Sequence, residues 1–294
     1  MVRLARYIVT VLVIVFCACG CNLPARTQPI ASAISADKVP IAYAVYGPAT
    51  APAVVFVHGW CCDSRYWNNQ IRYFARKFRV ITVDLAGHGN SGFGRKVYTT
   101  EAFGQDVAAV LRKLNIHKAI LVGHSMGGEV AVYAAKIAPE RVIGLVAVDT
   151  LEDMGMVYPE EIKNSIYEPI AANFAPKVQE FVRSMFRPGA DPVLVDAVAS
   201  DMSSAPPEVA LSSMKEYFKV SDPELIQGLA VPLKSVNADL FPTNVEGNKK
   251  LVPSYEMALM KGHGHFLMLE DPGRFNVLLE RMIDRILAET KEKK

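Results

Sequence analysis

The sequence has almost no excess of charge. Its 32 Lys and Arg residues face 30 Asp and Glu residues, a formal net charge of +2. That leaves no electrostatic footprint for nucleic acid or another polyanion. The C-terminal Lys291-Glu292-Lys293-Lys294 is the densest run of charge, and it reads as a solvated tail. There is no repeat at solenoid or propeller period, no low-complexity block, and no P-loop to cradle a phosphate. No cofactor is expected. Cysteine is scarce where a disulfide framework would need it. Five occur, and Cys17, Cys19 and Cys21 are confined to the first residues. Cys61 and Cys62 are adjacent, with Cα atoms ~3.8 Å apart across a trans peptide, shorter than the usual disulfide span. They read as two thiols or small core residues, and no disulfide framework is implied.

A comfortable transmembrane run is also missing. Arg3 and Arg6 precede an apolar stretch from Tyr7 to Phe16 that is too short to span a bilayer easily. The small-residue end Cys17-Ala18-Cys19-Gly20-Cys21 completes the layout of a secretory signal. Ala18-Cys19-Gly20-Cys21 resembles a bacterial lipobox, with Ala18 where Leu is usual. That resemblance implies export to the cell envelope, with Cys21 as the lipidated membrane anchor; a simple cleaved signal or an uncleaved N-terminal anchor is the alternative. The expected organisation is a leader over residues 1–21 and a tether over 22–29. A core would follow over 30–149, then a helical cap over 150–229 and the rest of the core over 230–294.

What the chain has in quantity is apolar residues, 51% of 294, enough for one large domain with a sizeable core. They fall in short runs. Residues 30–35 and 39–46 suit an opening hairpin, and Pro40 fits an edge strand. Apolar strands follow at 53–57, 80–83, 119–122 and 142–148, separated by helical stretches near 64–77, 101–114 and 128–137. Apolar strands alternating with helices predict a mostly parallel sheet covered on both faces. Beyond Asp149 the strand pattern stops. Residues 150–229 hold helical stretches punctuated by prolines and rich in Met and Phe. Strands resume at 233–237 and 255–259. A last helix begins at Asp271-Pro272 with Phe275, Leu278, Leu279, Met282, Ile286 and Leu287 on one face.

Chemistry concentrates at Gly123-His124-Ser125-Met126-Gly127. A serine between a strand and a helix, with glycines two residues to either side, is the nucleophile elbow. The turn is tight, so its neighbours must lack side chains. Serine needs a base, and the base an orienting carboxylate. His265, in Gly262-His263-Gly264-His265-Phe266, is the expected base. His263 is the runner-up. At these residues the chain resembles an α/β-hydrolase, whose triad runs Ser, then Asp or Glu, then His, with the histidine in a late Gly-His-Phe loop. The resemblance spans roughly residues 39–287. It implies an α/β-hydrolase fold with a helical cap inserted after the sixth strand.

The resemblance also implies the remaining site residues. Three aspartates end strands: Asp84, Asp149 and Asp239. Asp239 stands after the strand that follows the cap, where the family usually places its acid, and is the expected one. Asp149 is the alternative. Asp84 opens a loop that is structural in most members. The oxyanion donors implied are the backbone N–H groups of Met126 and of Trp60, in His58-Gly59-Trp60, with Cys61 the alternative to Trp60 if the loop is shifted. His58 is expected to fix its loop, and His88 and His124 to pack. Glu129 sits near a helix start, where negative charge suits the dipole. A metal cluster of His88, His263 and His265 lacks ligand spacing.

The expected activity is a serine hydrolase, most simply a carboxylesterase acting on a small-molecule acyl substrate. Lipase, lactonase, carbon–carbon bond hydrolase and peptidase activities use the same three residues. A non-catalytic binding protein on this fold is the alternative of another class.

Overall fold

The apolar runs become the strands of one sheet. A computed structural model describes residues 30–292. The leader, the tether and the anchor residue Cys21 lie outside the described residues. Eight strands form in chain order: β1 (Ala31–Ile34), β2 (Pro40–Tyr46), β3 (Ala53–Val57), β4 (Arg79–Val83), β5 (Ala119–His124), β6 (Val142–Val148), β7 (Leu233–Ala238) and β8 (Glu256–Met260). Their spatial order is β1-β2-β4-β3-β5-β6-β7-β8. The opening hairpin pairs antiparallel and β2 meets β4 antiparallel. All later pairs are parallel. This is the mostly parallel sheet expected of the α/β-hydrolase fold.

Every residue of β3 and of β5 is buried, as strands covered on both faces must be. On one face lie α2 (Thr100–Lys113) and α3 (Met126–Ile137), packed on each other. On the other lie α1 (Asn68–Phe74), α10 (Leu267–Glu270) and the long α11 (Pro272–Glu292). The helix expected near 64–77 divides into a 3-10 turn at Ser64–Trp67 and then α1. Fully buried Trp67, Phe74, Phe103 and Phe275 anchor these layers. Each such side chain contributes about 1.5–3 kcal/mol by leaving water.

Five helices separate β6 from β7: α4 (Glu160–Ala172), α5 (Phe174–Ser184), α6 (Pro192–Ser203), α7 (Pro207–Tyr217) and α8 (Asp222–Ile226). Prolines start α6, α7 and α8 within their first turns, where a missing N–H costs nothing. Buried Val178, Val182, Val198 and Met214 give this helical insertion its own apolar interior. A short helix of the core, α9 (Val245–Leu251), links β7 to β8.

Candidate active site

The elbow forms because three glycines leave room for it. A Cβ on Gly123 would lie 2.1 Å from the Gly127 carbonyl oxygen, and one on Gly127 would lie 2.6 Å from the carbonyl oxygens of Val57 and His58. A Cβ on Gly128 would meet Thr150 Cγ2 at 2.3 Å. Ser125, between β5 and α3, has φ 52° and ψ −129°. That is a conformation a non-glycine residue adopts only when its surroundings enforce it. Here the enforcement is visible: Ser125 N–H donates to Val148 O at 3.0 Å, and Gly128 N–H donates back to Ser125 O at 2.8 Å.

His265 is held on both sides of its backbone. Its N–H donates to Met185 O at 2.9 Å, and the His124 ring nitrogen Nε2 lies 3.0 Å from its carbonyl oxygen. Burial and the neighbouring His265 push the His124 ring well below the usual histidine range. A neutral His124 therefore donates Nε2–H to that carbonyl. His124 is 1% exposed, so the packing role expected of it becomes a specific hydrogen bond.

The carboxylate beside His265 is Asp149. Its Oδ2 lies 2.7 Å from His265 Nδ1. Asp149 ends β6 with φ 47° and is 2% exposed. Its Oδ1 accepts the Ala238 N–H at 2.7 Å, and its own N–H donates to Val236 O at 3.1 Å. The end of β7 thus supplies a backbone donor to the carboxylate of β6. The expectation that Asp239 faces the histidine is corrected by this geometry. Asp239 Oδ1 instead accepts Arg187 Nη2 at 2.7 Å and the Gly262 N–H at 2.8 Å. The physical reason is the direction of the chain. The positive φ at Asp149 turns its side chain across the strand ends, while Asp239 continues outward to solvent, with its side chain 36% exposed.

The His58 loop lies against the elbow. A Cβ on Gly59 would come 3.2 Å from Ser125 Cβ. The loop turns through Trp60 and Cys61, closed by Cys62 N–H to Gly59 O at 3.2 Å, with Cys61 at φ 55°. His58 Nε2 accepts the Leu85 N–H at 3.0 Å, and its Nδ1 lies 2.8 Å from Gly59 O. That is the fixing role expected of it. Asp84 receives the Ser64 and Asn90 N–H groups, each at 2.8 Å. Met126 opens α3, where the first N–H groups of a helix have no intrahelical acceptor and the dipole is positive. Cys61 and Cys62 are buried free thiols, and burial pushes both well above the usual thiol range.

Ser125, Met126, His265, Gly59 and Trp60 line one cavity of about 90 Å³. Where one water needs roughly 10–15 Å³, this is room for a short acyl chain. Its other wall comes from the helical insertion, through Ile166, Phe181, Met185, Met202, Met214, Tyr217 and Phe218. Trp60 joins the two halves: its indole N–H donates to Ala210 O on α7 at 2.8 Å, and its ring meets Phe181 edge-on at 6.3 Å. No Lys or Arg lines the cavity.

Several residues stand apart from this cavity. His263 reaches Lys261 O from Nδ1 at 3.0 Å, and His88 packs on His58 and Phe103. Among the described residues no group of three or more His, Cys, Asp or Glu residues could hold a metal ion. Gly87-His88-Gly89-Asn90-Ser91-Gly92 follows β4 and spells Gly-X-Gly-X-X-Gly. The next helix, α2, begins only at Thr100, so no helix N-terminus stands behind these glycines as that motif needs. Glu129, expected as a charge at a helix start, is 4% exposed. Burial and Asp222 push its carboxyl well above the usual range, favouring the neutral form. Sequence reasoning also missed Glu152, three residues past Asp149, which burial and Asp149 push up to about 7. Position after a strand was its sole signal.

With this geometry in place, comparison with known proteins is specific. A family model described as the alpha/beta hydrolase fold matches residues 52–231. The chain is 24% identical over 259 residues to a 3-oxoadipate enol-lactonase of Acinetobacter baylyi, spanning 86% of this chain and 96% of that protein. Among solved structures, a thermophilic esterase from Thermogutta terrifontis matches with a TM-score of 0.76 at 23% identity, over 88% of this chain and 99% of that one. An esterase from Rhodococcus sp. ECU1013 matches with a TM-score of 0.69 at 26% identity, over 87% of this chain and 98% of that one.

Proposed function

The chain belongs to the α/β-hydrolase fold family, and from that premise we propose that it is a serine esterase acting on small carboxylic esters with an uncharged, apolar acyl group. The observation that carries this reading is the contact of His265 Nδ1 with buried Asp149 at 2.7 Å, on the rim of the cavity that Ser125 lines. With Nδ1–H donated to Asp149, a neutral His265 leaves Nε2 unprotonated to take the Ser125 proton. Ser125 Oγ then adds to the ester carbonyl, and the Trp60 and Met126 N–H groups receive the oxyanion. Collapse expels the alcohol with a proton from His265 and leaves an acyl-serine. Water activated by His265 adds to that acyl group, and its breakdown returns Ser125 and releases the acid. Asp149 keeps its charge throughout and steadies the imidazolium.

The acyl preference rests on the cavity wall. Met185, Met202 and Met214 with Phe181 and Phe218 offer apolar, adaptable surface. A substrate carboxylate there would be desolvated without a cation, which costs several kcal/mol at the least. The lactonase relative is named for a dicarboxylic acid, so this wall argues against the same substrate here. The test is a series of p-nitrophenyl esters on the leaderless protein, with a fluorophosphonate probe for the nucleophile. Acetate to hexanoate esters should turn over, and an ester ending in a carboxylate should fall about a hundredfold lower in kcat/KM. Probe labelling that survives Ser125→Ala, or a preference for the carboxylate ester, contradicts the proposal.

The leader adds a second, separate part of the reading: export and membrane anchoring through lipidated Cys21. Its support is the sequence of residues 1–21 alone. Expression of the full chain with Cys21→Ser should move the protein from the membrane fraction to the soluble envelope fraction. Retention in the membrane fraction would point to an uncleaved anchor.

A further inference from the structure

Asp239 stands where the resemblance placed the triad acid, yet its hydrogen bonds run elsewhere. Its Oδ1 receives the Gly262 N–H at 2.8 Å and Arg187 Nη2 at 2.7 Å. Arg187 follows α5 in the helical insertion, and its Nε donates to His263 O at 3.0 Å. Two residues earlier, Met185 O accepts the His265 N–H at 2.9 Å. A Cβ on Gly264 would meet that same carbonyl at 2.6 Å, so the two segments lie flat against each other. Glu270 closes the other side by accepting the Gly264 N–H at 2.9 Å. Every residue from Gly262 to His265 is thus tied by its backbone; three of these ties lead to Asp239 or to residues 185–187, and the others to Glu270 and His124.

The placement of these ties is what gives them a role. The Arg187–Asp239 pair is a third exposed on each side, so solvent screens it and its contribution to global stability is small. It fixes a segment of four residues, two of them glycines, that ends at His265. Gly262 has φ 84°, so the segment has more than ordinary freedom to lose. We propose that Asp239 and Arg187 are positioning residues for His265, and that they make the placement of the base depend on the insertion lying closed over the core. This rests on the reading of His265 as general base. The insertion carries most of the acyl wall, including Met185 itself. Closure over a substrate and seating of the base would then be one event, because residues 185–187 take part in both.

The test compares Asp239→Ala, Asp239→Asn, Arg187→Ala, Arg187→Lys and the double alanine variant with Asp149→Asn, on a p-nitrophenyl butyrate assay with melting curves alongside. Loss of either partner should lower kcat by about tenfold or more, because small misplacements of a base are costly, with little change in Tm. The double variant should fall no further than the worse single, since both act through one clamp. Asp239→Asn should recover most of the loss, because the amide oxygen can still accept both hydrogen bonds, and Arg187→Lys should recover part of it. Wild-type kcat in both alanine variants overturns the proposal. So do additive losses, or a fall in Tm with kcat unchanged at a permissive temperature. If Asp149→Asn keeps its activity while Asp239→Asn is as inactive as Asp239→Ala, the acid assigned above is wrong instead, and the two failures are distinguished.

Discussion

Two neighbouring strand ends carry an aspartate each, and they behave differently. At the end of β6, Asp149 is 2% exposed, adopts φ 47° and gives one oxygen to His265 and the other to the Ala238 N–H. At the end of β7, Asp239 sits at the surface and bonds an arginine and a loop N–H. The hydrogen bond from Gly262, then Arg187, holds its carboxyl below the usual range. Adjacent parallel strands thus present the same residue type at the same edge of the sheet, and backbone conformation decides which one faces the histidine. A carboxylate that is buried and satisfied on both oxygens is fixed in direction, as an orienting group must be. One at the surface can hold a loop and no more.

The largest effect that could break this contrast is kinetic. Asp149→Asn should lower kcat by about 10⁴-fold. The Ala238 N–H would claim the amide oxygen and turn the amide NH₂ towards His265. That forces Nδ1 to accept, puts the proton on Nε2 and removes the base. Steady-state kinetics on p-nitrophenyl butyrate measures it, and an effect under tenfold would place the acid elsewhere. The next effect is on stability. Asp149→Ala leaves the buried Ala238 N–H without its acceptor and should cost about 1–3 kcal/mol. Asp239→Ala, at the surface where solvent screens its ion pair, should cost clearly less. Urea denaturation of both variants checks the difference, and equal losses would erase it.

A smaller effect is pH-dependent and belongs to the β6 end alone. Glu152 is raised from the usual carboxylate range to about 7, by burial first and Asp149 second. A group whose folded pKa is raised binds its proton more tightly when folded. Its contribution to stability is full below pH ~4.5 and is lost as pH rises through about 7. Melting temperature should therefore fall over that window, and Glu152→Gln should flatten the fall. The same slope in both proteins would assign the effect to other groups, Asp222 first, which burial raises to about 6.

Much of this was legible in the sequence. Period and run length foretold where along the chain all eight strands lie, and Gly-X-Ser-X-Gly foretold a turn that only glycines permit. Gly264-His265-Phe266 marked the histidine. The choice between Asp149 and Asp239 was not legible. It depends on a left-handed backbone at a residue that is not glycine and on an N–H from the next strand, and neither leaves a trace in residue type. Glu129 shows the same limit. Its place at a helix start suggested a charge that suits the dipole, while Tyr217 and Asp222, which close over it, come from residues far along the chain. The Met-rich segment was readable as a helical insertion, but which of its methionines face the site was not. Met185, Met202 and Met214 line the cavity, Met154 is in the core and Met156 is exposed.

The central claim is that the carboxylate orienting His265 comes from β6. Its most direct test is the proton between the two groups, which proton NMR of the imidazole N–H region observes as a low-field resonance when an Nδ1–H is held by a buried carboxylate. That resonance should be present in the wild type and in Asp239→Asn, and lost in Asp149→Asn. A resonance that survives Asp149→Asn and disappears in Asp239→Asn would contradict it.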